Sequence, residues 1–191
     1  MRARLQCEVD VAAPAGVVWD YVTDWPRQGD WIPLTRVENL DEANCLGGRF
    51  RAWTGLGVPA SGSWVVSLAG AGFWDPMTIT AWERSSDGEG RCEVLHLGTV
   101  VRGEGEFSVV ARGDHASRFT WVEVLVVPGG PLGALGWRAV RPLVERVVDR
   151  GLRTMRDRVE RETSPGPGPV GGAGGGDGGG STVGSTGASA G

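Results

Sequence analysis

The sequence predicts an α+β domain: a curved antiparallel sheet of about six to seven strands wrapped around one long C-terminal helix. Three observations predict it. Alternating apolar and polar residues recur in short runs through the first two thirds of the chain, as half-buried strands require. Those runs are separated by compact turn signals, Gly47-Gly48, Asp87-Gly88, Arg102-Gly103 and Gly113-Asp114, which favour antiparallel neighbours. Finally, apolar residues return at helical spacing from Leu132 to Val159.

Along the chain, residues 4–11 alternate cleanly, with Leu5, Cys7, Val9 and Val11 on one side of a first strand. Pro14 suits the first turn of a helix, where its missing N–H costs nothing, and Val17, Val18, Tyr21 and Val22 give that helix an apolar stripe. Pro26 and Gly29 break it. Trp25 and Trp31 then fall in a turn-rich piece that could gate a pocket mouth. Strands are expected at 35–40, 47–55, 75–84, 90–101, 103–112 and 117–127. Between 56 and 74 the pattern is mixed: Ser63–Leu68 could extend a strand and Gly70-Ala71-Gly72 could form a flexible lip.

Gly129-Gly130-Pro131 opens the last element. Its stripe includes Leu132, Leu135, Ala139, Val140, Leu143, Val144, Val147, Val148, Leu152, Met155 and Val159, against a charged opposite face. Pro142 removes a hydrogen bond to the Arg138 carbonyl, so a kink or a separate first segment is expected there. The folded domain is expected to span 1–163. Residues 164–191, rich in Gly and Ser with no aromatic residue, are expected to form a disordered tail because they cannot bury enough apolar surface to offset ordering entropy.

Composition narrows the function. The net charge is −4, and no basic arm or patch suggests nucleic-acid binding. Cys7, Cys45 and Cys92 are odd in number and widely spaced, which fits a reducing compartment. With no apolar leader and no long apolar run, a cytoplasmic location without a membrane span is expected. All nine Trp precede residue 164, enough for a densely packed core or an indole-lined cavity.

The order of elements resembles the helix-grip fold of the START-like (SRPBCC) superfamily. Several strings are similar to those of actinobacterial polyketide cyclase/dehydrase-type proteins: Trp74-Asp75-Pro76-Met77 with Trp82, His96-x-Gly98, Arg102-Gly103-x-Gly105-x-Phe107, Phe119-Thr120-Trp121-x-Glu123 and Arg141-Pro142-Leu143. The resemblance covers roughly residues 3–162. It implies a cavity for lipids, hormones or polyketides, with cyclisation or dehydration in some members, and it carries no universal catalytic signature.

Reactive constellations are sparse. With only His96 and His115 and no paired-Cys or HExxH spacing, no metal or other cofactor is expected, a cross-strand His96, Cys92 and Glu123 set being the one conceivable metal site. No GxSxG elbow occurs. Cys92 and His96, four apart on one strand, would lie about 13 Å apart, beyond nucleophile–base reach. Gly103-Glu104-Gly105 lacks a phosphate-loop ending and suggests a tight hairpin. On 118–127, Phe119, Trp121, Glu123 and Leu125 share one face. If that face lines a cavity, Glu123 is a carboxylate in an apolar wall, with His96 or Arg102 as its partner. Otherwise Glu123 points to solvent or pairs structurally with an Arg.

The expected function is binding or carriage of a hydrophobic small molecule between sheet and long helix. Trp31, Phe50, Met77, Trp82, His96, Phe107, Trp121, Glu123 and Leu135 would line the cavity. One alternative is a polyketide cyclase, aromatase or dehydratase in which Glu123 and His96 handle protons. Another is a protein-interaction module using the outer apolar face of 118–127, which a homodimer contact or the 56–74 segment would have to cover.

Overall fold

The computed structural model describes residues 1–55 and 72–164. Ser63–Leu68, Gly70-Ala71 and nearly all of the tail lie outside the described residues. The elements run β1 (Arg2–Val11), α1 (Ala15–Val22), a 3-10 helix (Trp25–Asp30), β2 (Thr35–Asn39), β3 (Arg49–Gly55), β4 (Gly72–Arg84), β5 (Gly90–His96), β6 (Gly103–Ala111), β7 (Ser117–Val126) and α2 (Gly130–Thr163). The strands form one antiparallel sheet in the order β1-β7-β6-β5-β4-β3-β2, a helix-grip arrangement with the long C-terminal helix.

Local chemistry explains the helices between β1 and β2. Pro14 precedes α1, which ends at Thr23, whose hydroxyl donates to the Trp19 carbonyl at 2.7 Å. Pro26 falls in the first turn of the 3-10 helix, which closes with Trp31 N donating to Gln28 O. Trp19 is fully buried beside Trp82, with ring centroids 5.2 Å apart. Gly90 makes room for it: a Cβ there would sit 2.4 Å from the indole.

A register shift between Ile79 and Ala81 of β4 changes which residues face inward. Before it, Asp75, Met77 and Ile79 share the inner face; after it, Trp82 pairs with Cys92 and joins that face too. Strict alternation puts Met77 and Trp82 on opposite faces; the bulge reunites them.

Three expectations about the later elements are corrected. β5 ends at His96, not at 101, and residues 97–102 form a connection in which Leu97 and Val100 are exposed. Gly103 begins β6 and Gly105 lies within it, so this glycine pair is part of a strand, not of a tight hairpin. α2 runs through Pro142 as one helix, without a separate first segment.

Burial along α2 is uneven. Gly151, Leu152, Met155 and Val159 are buried, and a Cβ at Gly151 would come 2.8 Å from the Trp31 carbonyl oxygen, so the helix backbone sits close to that turn. Leu132 is 81% exposed and Leu135 66% exposed, and Val140, Leu143 and Val147 are exposed as well. Of the expected stripe, only the C-terminal part is fully buried. No described helix is long and apolar enough to cross a membrane.

Candidate functional site

A cavity of about 130 Å³ opens between the inner face of β3–β7 and the segment carrying the 3-10 helix. Trp25, Gln28, Ile32 and Thr35 cover it from that segment. Phe50, Ala52, Thr54, Met77, Cys92, Val94, Phe107 and Trp121 supply its strand wall, and Asp75, His96 and Glu123 its charged end. No α2 residue is among these lining residues. The cavity therefore lies beneath the 3-10 helix and not against the long helix, where the sequence suggested it. The reason is the partial docking of α2: its buried residues begin at Gly151, well past Leu135.

The sequence-predicted residues divide accordingly. Phe50, Met77, His96, Phe107, Trp121 and Glu123 meet at the cavity. Trp31, Trp82 and Leu135 do not line it. Trp31 is buried behind the wall, edge-on to Trp121 at 5.8 Å and to Phe119 at 6.3 Å. Trp82 packs on Trp19, and Leu135 faces solvent. Trp25 is a wall residue, stacked on Phe50 at 4.1 Å and pinned by its indole N–H to Asn44 at 2.7 Å.

The charged end is a buried chain of hydrogen bonds. His96 Nδ1 lies 2.7 Å from Asp75 Oδ2, and Nε2 lies 3.0 Å from Glu123 Oε2. Glu123 Oε1 accepts from the Trp121 indole N–H at 2.7 Å. Carboxylates only accept, so both ring nitrogens of His96 donate and the ring is an imidazolium. Burial alone favours neutral imidazole; the hydrogen bonds and charges of Asp75 and Glu123 overcome it and raise the pKa to about 10. Of the two partners considered for Glu123, His96 takes the role. Arg102 is exposed and donates to the Gly98 carbonyl at 3.4 Å.

Backbone geometry makes this chain possible. His96 is on β5 and Glu123 on β7, with β6 between them. Gly105 pairs with both Val94 and Glu123, and a Cβ there would meet Glu123 Oε1 at 3.0 Å and Val94 Cγ2 at 2.9 Å. The missing side chain leaves a channel across β6 through which the carboxylate reaches the imidazolium. Asp75 and Gly105 were not singled out from the sequence as site residues. The signal for Asp75 was its phase: an acid two residues before Met77, on the apolar face of its strand.

Other chemistry is weak at this site. Burial pushes the Cys92 thiol up to about 12, which keeps it protonated and a poor ligand or nucleophile at neutral pH. Both His96 nitrogens are engaged, and among the described residues no group of three or more His, Cys, Asp or Glu is arranged to hold a metal ion.

A family model described as polyketide cyclase / dehydrase and lipid transport matches residues 2–160. The chain belongs to this family. Solved structures agree on the fold of this polyketide cyclase/dehydrase member. An aromatase/cyclase, ZhuI, from Streptomyces sp. R1128 is 18% identical, with 86% of this chain and 97% of that chain covered and a TM-score of 0.59. A protein of Thermus thermophilus is 17% identical over 85% of this chain and 100% of its own, with a TM-score of 0.59. A START superfamily protein from Mycobacterium smegmatis is 16% identical over 84% and 99%, with a TM-score of 0.56. A sequence comparison with curated proteins gave no match.

Proposed function

We propose that this chain binds an apolar small molecule, with one ring or a fragment of that size seated in the cavity under the 3-10 helix. The observation that carries the reading is the division of the cavity: aromatic and aliphatic walls from Trp25, Phe50, Met77, Phe107 and Trp121, and charged groups gathered at Asp75, His96 and Glu123. Such a pocket gains affinity from burial and orientation from few polar groups. Its volume of about 130 Å³ is close to the ~150 Å³ apolar cavity that accommodates benzene, which is room for one ring.

Binding is favoured over cyclase or dehydratase chemistry by the state of His96. A ring that holds its proton to about pH 10 is a poor general base at neutral pH, and both its N–H groups already serve carboxylates. Native mass spectrometry of the purified full chain, before and after addition of small aromatic compounds, tests the reading. A retained mass, with a change in tryptophan emission on binding, is the expected result. A chain that holds no compound and shows no emission change refutes it. Turnover of a poly-β-ketone mimic that is lost in Glu123→Gln would instead favour the enzyme.

A further inference from the structure

The sheet ends on one side with β1, which pairs with β7 alone among the described strands. Met1 and Val127 exchange both backbone hydrogen bonds, each at 2.9 Å. Hydrogen-bonded pairs alternate along an antiparallel ladder, so the odd-numbered residues of β1 turn their N–H and C=O groups towards β7. Val126, opposite Arg2, agrees: its N–H donates to the Arg102 carbonyl on the β6 side. The backbone groups of Arg2, Arg4, Gln6, Glu8 and Asp10 therefore point away from the sheet, along an open edge. That edge stops at Ala12, whose N–H is taken by the Glu160 carboxylate at 2.8 Å. Beside its midpoint, Gln6 and Cys7 face Pro142, Glu145, Arg146 and Asp149 of α2 across a groove of about 330 Å³, so the helix does not seal the edge.

A long open edge is a template for another strand, and its side chains select which strand fits. Arg2 and Arg4 lead, Glu8 and Asp10 follow, Gln6 stands between them, and all of them are exposed. The strand thus carries opposite charge at its two ends, and its neighbours do not cancel this. Arg118 answers Glu8 at 3.3 Å and Asp10 at 2.7 Å, one base for two acids. Arg4 donates to the neutral Gln6 at 2.8 Å and has no carboxylate partner among the described residues. Arg2 reaches Glu104 only at 3.9 Å.

We propose that β1 is a self-recognition edge, through which two copies of this chain join antiparallel about a two-fold axis at Gln6. In that register Arg2 lies opposite Asp10 of the second copy, and Arg4 opposite Glu8. The residues that hold the free backbone groups on one copy meet the same set on the other, so these pairs are hydrogen-bonded and the ladder closes without a bulge. On the inner face Ala3 meets Val9, and Leu5 meets Cys7. Sliding one copy by two residues either way loses one of the two kinds of opposite-charge contact. A parallel pair in register sets arginine against arginine and acid against acid, which disfavours it. Exposed ion pairs add little affinity, so the charges fix direction and register while backbone bonds hold the copies together. The contact is one strand wide, and the dimer is accordingly weak.

Sedimentation velocity of the full chain at low salt, from micromolar to millimolar concentration, tests this. The expected result is a shift from the mass of one chain towards that of two. Arg4→Glu and Glu8→Arg, taken singly, each set like charges across the axis and are expected to weaken association about tenfold. Mixing the two variants is expected to restore it, because each then meets its opposite charge. Gln6→Pro removes the central edge N–H, which β7 does not use, and is expected to leave a folded monomer by circular dichroism. A chain that stays monomeric at millimolar concentration overturns the proposal. A dimer that survives Gln6→Pro overturns the edge and places the contact on another face, such as the exposed half of α2. A mixture no tighter than either variant alone overturns the register. If Gln6→Pro fails to fold, the mixing experiment decides.

Discussion

The inner face of the sheet is solid at one end and hollow at the other. Towards the buried part of α2, Val11, Val109, Phe119, Leu152, Met155 and Val159 belong to one apolar core. Towards β3–β5, the only cover among the described residues is the 3-10 helix and the turn after it, and a cavity remains with charges at its end. The two ends differ in what a substitution should do. In the solid end, stability depends on filled volume. In the hollow end, it depends on the ion pairs of His96 with Asp75 and Glu123, because removing one partner of a buried pair strands the others.

Several substitutions can break that comparison. His96→Ala leaves Asp75 and Glu123 buried without their cation and is expected to cost about 3–5 kcal/mol at pH 7. Chemical denaturation measures it, and a loss below about 1 kcal/mol would show that the chain of charges contributes little. Leu152→Ala or Met155→Ala is expected to cost about 2–5 kcal/mol without changing the affinity ranking of small probes. Gly151→Ala should also destabilise the solid end, because its Cβ would meet the Trp31 carbonyl at 2.8 Å.

Acidity sharpens the contrast. The folded-state pKa of His96, about 10, exceeds its ordinary value of 6.5. Its contribution to stability is therefore fully present below pH 6.5 and is lost as the pH rises through about 10. A denaturation series across that window should show a decline that His96→Ala lacks, and the imidazole NMR signals should titrate near the upper limit. Trp121→Phe, which removes one donor from Glu123, is expected to cost about 1–3 kcal/mol. Leu135→Ala, on the exposed half of α2, should change stability by less than about 0.5 kcal/mol.

Much of this was legible from the sequence, and the reasons are local. Alternation marks the strands because pleating forces it, and it placed Trp121 and Glu123 on one face correctly. Helical spacing announced α2 but not its docking. The periodicity of Leu132, Leu135 and Leu143 is as good as that of Leu152, Met155 and Val159, yet only the second group meets the core. Period reports the conformation of an element and is silent on how far its neighbour extends. The bulge between Ile79 and Ala81 was hidden for a related reason: one extra residue shifts the phase without altering composition. Gly105 looked like turn punctuation because a glycine kept for space and a glycine kept for a bend are the same letter.

Trp31 joins the two ends. Its carbonyl meets the backbone of α2 at Gly151, while its indole stands against Trp121 in the cavity wall. The back of the pocket is thus braced by the seat of the helix. Pressure on Trp121 from the cavity side would pass to Trp31, and from Trp31 to the helix backbone at Gly151. Substitutions that enlarge the side chain at 121 should therefore be relieved by changes around Trp31 and Gly151, remote from the charged groups.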